Sequence, residues 1–365
     1  MSEKRVTILL NYYAVVNHGQ ALIFGQLTTK RLSDLTFTSF SGRTTFRTLF
    51  SLYRSRALAS QTAIIHYEAF NLTVTTDDTG FFMVNHEVDS HEQPLKKITV
   101  NDEPVRIIDG LYDCRMHHIN TPNIVVSDID DTILHSHVSR KFRKLRTLMF
   151  TPVERRLAVV PVKTLIDRIV AQGATALYLS NSEQNLYPLI YRFLVLNGFP
   201  RGPVFLKQMR RLRDLVRYHK LPPPEVHKMK MLNILLPMFT DKQFVLIGDN
   251  TQYDLSIYMN IAKSFPDNVR AIYIRKAIPI KDEAATIANL ANEFARRNIA
   301  FHYGDDFETV VWPESQDLKM PAADFKPGDP LKSAADGPGP SKMSNDVDSV
   351  TRNAKPDDGT TVNKP

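Results

Sequence analysis

Two different rhythms of apolar residues run along the chain. From Val6 to about Tyr112, apolar and β-branched residues come in short runs such as Thr62 to Tyr67 and Leu72 to Thr76, set apart by turn formers. Runs of this length predict strands, and their number predicts a small β-sandwich. Inside it, Asp77-Asp78-Thr79-Gly80 ahead of Phe81-Phe82-Met83-Val84 predicts a turn feeding a strand, because Gly80 reaches positive φ cheaply. The run Val6 to Leu10 ends at Asn11-Tyr12-Tyr13 with no small-residue cleavage site after it, so it predicts an N-terminal strand rather than a leader.

From Asn123 the rhythm changes to short, continuously apolar runs alternating with longer segments of helical period. That alternation predicts an α/β, Rossmann-like domain whose sheet is covered on both faces. Strands are expected at Ile124 to Ser127, Thr175 to Leu179, Val204 to Leu206, Phe244 to Ile247 and Val269 to Ile274. Helices are expected at Val162 to Gln172, Asn185 to Leu196, His227 to Phe239, Asp254 to Ala262 and Asp282 to Arg297, the last on the spacing of Ile287, Leu290, Ala291 and Phe294. Past about Met320, large apolar side chains nearly vanish among Pro, Gly, Asp, Lys and Ser, which predicts a disordered tail. The expected divisions are a β-rich accessory domain over 1–116, an α/β domain over 117–315 and a tail over 316–365.

Composition changes this picture in three places. The only cysteine, Cys114, cannot form an internal disulfide, so a reducing, cytoplasmic location is expected. No apolar stretch is long enough to cross a bilayer as a helix. The net charge of +7 favours an anionic partner: a phosphorylated small molecule, an anionic membrane surface or nucleic acid. Basic residues concentrate at Arg140 to Arg146 and at Lys207 to Lys220, where each run could equally be a solvated helix face. His18, His66 and His86 are scattered without the spacing of a zinc site and read as structural or surface residues.

The chemistry gathers at three expected strand ends. In Ile124-Val125-Val126-Ser127-Asp128-Ile129-Asp130-Asp131-Thr132 a buried strand runs into an acidic loop, where Asp128 and Asp130 suit a hard cation such as Mg2+. In Leu177-Tyr178-Leu179-Ser180-Asn181-Ser182 the Ser180 hydroxyl and nearby backbone donors could hold phosphate oxygens, or merely cap a turn. In Phe244-Val245-Leu246-Ile247-Gly248-Asp249 the glycine permits close approach, Asp249 stands at a strand end, and Asp254 follows as a site residue or a helix N-cap. Lys228, expected at a helix start, is the cation proposed to offset phosphate charge, with Lys230 as the alternative. Ligands of open α/β sheets bind beyond the carboxyl ends of the strands, so three such ends form one site.

That order of residues resembles the haloacid dehalogenase superfamily of phosphohydrolases. In closer detail, Ser127 to Ile133, Tyr178 to Ser182, Phe199-Pro200-Arg201-Gly202-Pro203 and Leu246 to Asp249 with Asp254 are similar to the catalytic domain of actin-patch-associated phosphatidate phosphatases, over about Asn123 to Arg275. Thr76 to Phe82 resembles the region preceding that domain in bacterial relatives. The resemblance implies Mg2+-dependent hydrolysis of phosphatidate to diacylglycerol with no nucleotide cofactor. It implies Asp128 as nucleophile, Asp130 as general acid and base, and Lys228 as the catalytic cation. Thr132, Ser180 and Asn181 would hold phosphate, Asp128, Asp130 and Asp249 would bind the metal, and Asp254 would support it from behind. One departure is Glu183-Gln184 where many relatives have Pro-Trp, which predicts a polar rim in place of an aromatic one. The alternatives are a phosphatase of another phosphorylated metabolite or a nucleic-acid end, a non-catalytic membrane adaptor, and a nucleic-acid-binding module, for which no base-reading motif is present.

Overall fold

The computed structural model describes residues 5–31, 51–53, 55–89, 94–130, 132–134, 152–208, 224–251 and 253–307. Asp131, the basic run at Arg140 to Arg146, most of the run from Lys207 and the expected tail therefore lie outside the described residues. Residues up to Lys319 group as one compact unit.

The N-terminal part is built from β1 (Arg5–Asn17), β2 (Gln20–Arg31), β3 (Arg56–Ala57), β4 (Thr62–His66), β5 (Asn71–Thr75), β6 (Phe81–Glu87), β7 (Lys97–Val100), β8 (Glu103–Pro104) and β9 (Met116–His118). One sheet runs β3-β2-β1-β9, with β6 also pairing β2, and a second runs β5-β4-β7-β8. β1 is much longer than the apolar run that predicted it, because β2 pairs with it along its whole length and the register slips once between Leu9 and Asn11. Asn11, read as the end of the strand, instead marks a bulge. Gly80 has φ +77°, and a Cβ there would lie 2.2 Å from the Leu27 carbonyl, so the turn before β6 requires glycine twice over. The Tyr12 and Tyr67 hydroxyls meet at 2.7 Å and tie β1 to the end of β4.

The C-terminal part is a parallel sheet of β10 (Asn123–Asp128), β11 (Ala174–Glu183), β12 (Val204–Lys207), β13 (Gln243–Asp249), β14 (Val269–Arg275) and β15 (Ala300–Gly304). Its helices are α1 (Val160–Ala171), α2 (Tyr187–Leu196), α3 (Pro224–Met238), α4 (Asp254–Ser264) and α5 (Glu283–Ala295). Strand order is β12-β11-β10-β13-β14-β15. From β10 the chain fills one side of the sheet and then returns through β13 to fill the other. The order therefore reverses between β10 and β13, the two central strands, which are buried almost throughout as their apolar runs demand.

All five predicted strands and all five helices of this part are present, with shifted ends. α3 is already helical at Pro224, before the expected His227. Lys228 consequently sits in the second turn rather than at the helix start. β15 was not expected; its half-buried residues carry little pattern. The two parts share one core: Tyr187 of α2 donates to the Tyr13 hydroxyl at 3.2 Å, and the rings of Phe24 and Phe205 stack at 4.8 Å.

Candidate active site

A parallel sheet opens a crevice where two neighbouring strands send their following segments in opposite directions. Here that place is the carboxyl edge of β10 and β13. Asp128 is the last residue of β10 and Asp249 the last of β13. Both side chains are buried. Their Cα traces are held in register by parallel pairing from Asn123 with Gln243 to Ser127 with Ile247. The loop after β10 turns back on itself, with Thr132 buried between the two acids. Its hydroxyl lies 3.1 Å from Asp128 Oδ2 and 2.8 Å from Asp249 Oδ2. A hydroxyl has one proton, so Thr132 satisfies one carboxylate at a time.

Lys228 enters from α3 and is fully buried. Its ammonium lies 2.9 Å from Asp128 Oδ1 and 2.5 Å from Asp254 Oδ1. Lys230, the alternative, is exposed. Asp254 is the first residue of α4, yet it does not cap that helix. Its carboxylate turns back instead, taking Lys228 on Oδ1 and the Asp249 backbone N–H, at 3.2 Å, on Oδ2. This close approach explains Gly248: a Cβ there would lie 2.5 Å from Asp254 Oδ2.

Asp130 lies on the other side of the cleft. β11 continues past Ser180 with a register shift before Glu183, and residues two apart on a strand share a face. Ser180 and Ser182 therefore both reach Asp130 Oδ2, at 2.9 and 2.7 Å. Asn181 falls between them and is half-buried. Arg156, buried beside Leu189, Ile190 and Phe193, lines the same pocket as Asp130. Burial pulls its guanidinium down to about 10, against the attraction of Asp130 and Glu154. The polar rim expected from Glu183-Gln184 is not formed, because both residues are buried and Gln184 donates to the Leu206 carbonyl of β12.

Three residues of this constellation escaped the sequence reading. Ser182 ends the run from Leu177, where its two-residue spacing from Ser180 was the available signal, and Thr251 lies between Asp249 and Asp254. Arg156 left none. Thr251 donates to Asp249 Oδ1 from its backbone N–H at 2.6 Å and from its hydroxyl at 2.5 Å.

The electrostatics are those of surplus negative charge out of water. Burial pushes the Asp128 carboxyl well above the ordinary range; Lys228 opposes this, and Asp254, Asp249 and Asp130 add to it. Burial likewise raises Asp254 against the pull of Lys228. Burial works against the charge of Lys228, but Asp128 and Asp254 outweigh it and hold the ammonium above the usual lysine range. Asp128, Asp249 and Asp254 place carboxylate oxygens within 4.8 Å of one another. Three carboxylates facing one ammonium fit a divalent cation bound by hard oxygen ligands.

The fold and site thus define a parallel-sheet α/β protein with a buried carboxylate–lysine cluster at its switch point. Residues 123–276 match the family model described as phosphatidate phosphatase APP1, catalytic domain. The phosphatidate phosphatase APP1 of Saccharomyces cerevisiae is 33% identical over 213 residues, 55% of this chain and 34% of that protein. An uncharacterized protein of Schizosaccharomyces pombe is 28% identical over 153 residues, 41% of this chain and 24% of its own length. The chain thus spans about a third or less of the curated relatives it matches. A solved Pnkp1/Rnl/Hen1 complex is 15% identical, covering 46% of this chain and 51% of that one, with a TM-score of 0.30, too low to carry an argument. No helix among the described residues is long and apolar enough to cross a membrane.

Proposed function

We propose that this chain is a Mg2+-dependent phosphomonoester hydrolase of the haloacid dehalogenase type, acting on phosphatidate to release diacylglycerol and phosphate. The observation that carries the reading is Asp128 itself. It is a buried carboxylate at the sheet's switch point, 2.9 Å from a buried lysine, within a segment similar to a phosphatidate phosphatase catalytic domain.

In this reading Asp128 attacks phosphorus, the bond from phosphorus to the substrate's ester oxygen breaks, and an aspartyl phosphate forms. Asp130 gives its proton to the departing alkoxide and then takes one from the water that hydrolyses the intermediate. Ser182, together with Ser180 until phosphate binds, donates to one Asp130 oxygen and fixes that carboxyl for both tasks. Lys228 lies against the attacking group and offsets phosphoryl charge, while Thr132, Ser180 and Asn181 hold the phosphate. Asp128, Asp130 and Asp249 would hold the cation, with Asp254 keeping Lys228 and the Asp249 backbone in place. When bound, Mg2+ would supply positive charge to the phosphoryl oxygens. The accessory part over 1–116 and the catalytic part over 117–315 are proposed as the working divisions, with anionic membrane as the peripheral site of action.

The test is phosphate release with Mg2+ from phosphatidate, other phospholipids, soluble phosphomonoesters and phosphorylated nucleic-acid ends. Selective hydrolysis of phosphatidate is expected. Activity confined to soluble or nucleic-acid phosphates would replace the substrate, and no release from any of them would favour the adaptor.

A further inference from the structure

We propose that Thr251 sets the cation preference of the acidic centre, favouring Mg2+ over Ca2+ by leaving Asp249 only one oxygen to offer. The inference rests on the reading of Asp128 and Asp249 as cation ligands. Asp249 Oδ1 accepts two short hydrogen bonds, from the Thr251 backbone N–H at 2.6 Å and from its hydroxyl at 2.5 Å. Oδ2 lies on the side of Asp128, since the Thr132 hydroxyl reaches both Asp249 Oδ2 and Asp128 Oδ2. One oxygen is thus committed to the protein and the other is directed at the shared centre.

This difference matters because the two cations ask for different shells. Mg2+ takes six ligands in near-octahedral geometry and is commonly held by one or two carboxylates together with waters and phosphate oxygens. Ca2+ takes six to eight oxygens and readily accepts both oxygens of one carboxylate. With Oδ1 saturated, Asp249 is restricted to the mode that suits Mg2+. Asp254 is anchored on both oxygens, Oδ1 by Lys228 and Oδ2 by the Asp249 N–H, so re-aiming it at a larger ion would break one of these bonds. Gly248 makes the room in which that carboxylate sits, since a Cβ there would meet Asp254 Oδ2 at 2.5 Å. Thr251 is therefore a positioning residue whose hydroxyl acts through Asp249.

The experiment compares the full-length parent with Thr251→Val, Thr251→Ala and Thr251→Ser. Thermal unfolding is followed across titrations of MgCl2 and of CaCl2, and each affinity is extracted from the rise in midpoint. Partners that orient a metal ligand typically carry on the order of tenfold in affinity. The valine and alanine variants are expected to lose about that factor for Mg2+ while Ca2+ affinity holds or rises, and the serine variant is expected to keep the parental ratio. A folded valine or alanine variant with the parental ratio of Ca2+ to Mg2+ affinity would overturn the proposal. So would an equal loss for both ions, which would make the hydroxyl a structural anchor only. A parent stabilised by neither ion would instead sink the cation-site reading itself, and that failure shows before any variant is made.

Discussion

β13 carries aspartates near both of its ends, and the two ends treat a carboxylate in opposite ways. Just before the strand, Asp241 is surrounded by donors: Lys242 at 2.8 Å, Asn17 at 2.9 Å and His18 at 2.9 Å. Partial burial opposes its charge, yet the hydrogen bonds from Lys242, Asn17 and His18 bring it down to about 2. At the far end, Asp128, Asp249 and Asp254 share one buried ammonium, and burial pushes Asp128 and Asp254 upward. The first end satisfies its charge within the protein and joins the β1–β2 hairpin to the α/β part. The second leaves charge unsatisfied, an arrangement that costs folding free energy and makes sense where a ligand completes it.

The largest effect expected from this contrast is on turnover. Asp128→Asn should lower phosphate release on the order of 10⁴-fold or more, as removal of a nucleophile does elsewhere. Its metal-free unfolding midpoint should be no lower than the parent's, since one of three crowded carboxylates has lost its charge. Near-parental turnover in a folded variant would remove Asp128 from the role of nucleophile. A sharp fall in stability would show that the far end is satisfied after all.

Lys228→Met tests the same surplus from the other side. Removing one partner of a buried pair costs about 3–5 kcal/mol, and here it strands two carboxylates. The deficit should depend on pH with a definite sign. Asp128 and Asp254 are raised in the folded state, so their ionisation penalises folding above the unfolded value near 4, and the penalty fades as pH falls towards it. Denaturant unfolding at neutral and at mildly acidic pH should therefore show the gap between variant and parent closing on acidification. A gap that widens would reverse the electrostatic argument.

Cation binding should relieve the far end alone. Saturation at a hundred times the dissociation constant corresponds to about 2.7 kcal/mol of added stability. Mg2+ should raise the parental unfolding midpoint, EDTA should reverse the rise, and Asp249→Asn should need more Mg2+ to reach it. An equal response in Asp249→Asn would take that residue out of the coordination sphere.

How far this contrast could be read from the sequence differs between the two ends. The far end was legible because each of its acids stands beside a continuous apolar run, and a run of that kind can only be a buried strand whose end is fixed. Gly248 and Asp254 lay in the same short stretch. What escaped depended on side chains meeting across elements: Thr132 placed between Asp128 and Asp249, Arg156 folded in beside Asp130, and Glu183-Gln184 buried rather than exposed. The near end was invisible, since Asn17 and His18 lie more than two hundred residues from Asp241 and all three are ordinary in composition. Edge strand β15 was missed for a related reason, half burial leaving only a faint alternation.

The smallest effect belongs to Asp241, and it gives the comparison its control. Asp241→Asn keeps the shape of the side chain and removes the charge that draws Lys242 and His18 together. Because the cluster is partly open to solvent, the expected loss is about 1 kcal/mol or less. Its pH dependence should run opposite to that of the far end. A carboxyl lowered to about 2 in the folded state adds stability that is complete above the unfolded value near 4 and is lost as pH falls through 4 towards 2. The parent should therefore lose more stability than Asp241→Asn over that interval, until the two converge at its acid end, while both hydrolyse substrate alike at neutral pH. Acid unfolding curves of the two proteins measure this directly. If Asp241→Asn instead lowered turnover without lowering stability, the two ends of β13 would be coupled, and the separation of a stabilising end from a reactive one would be wrong.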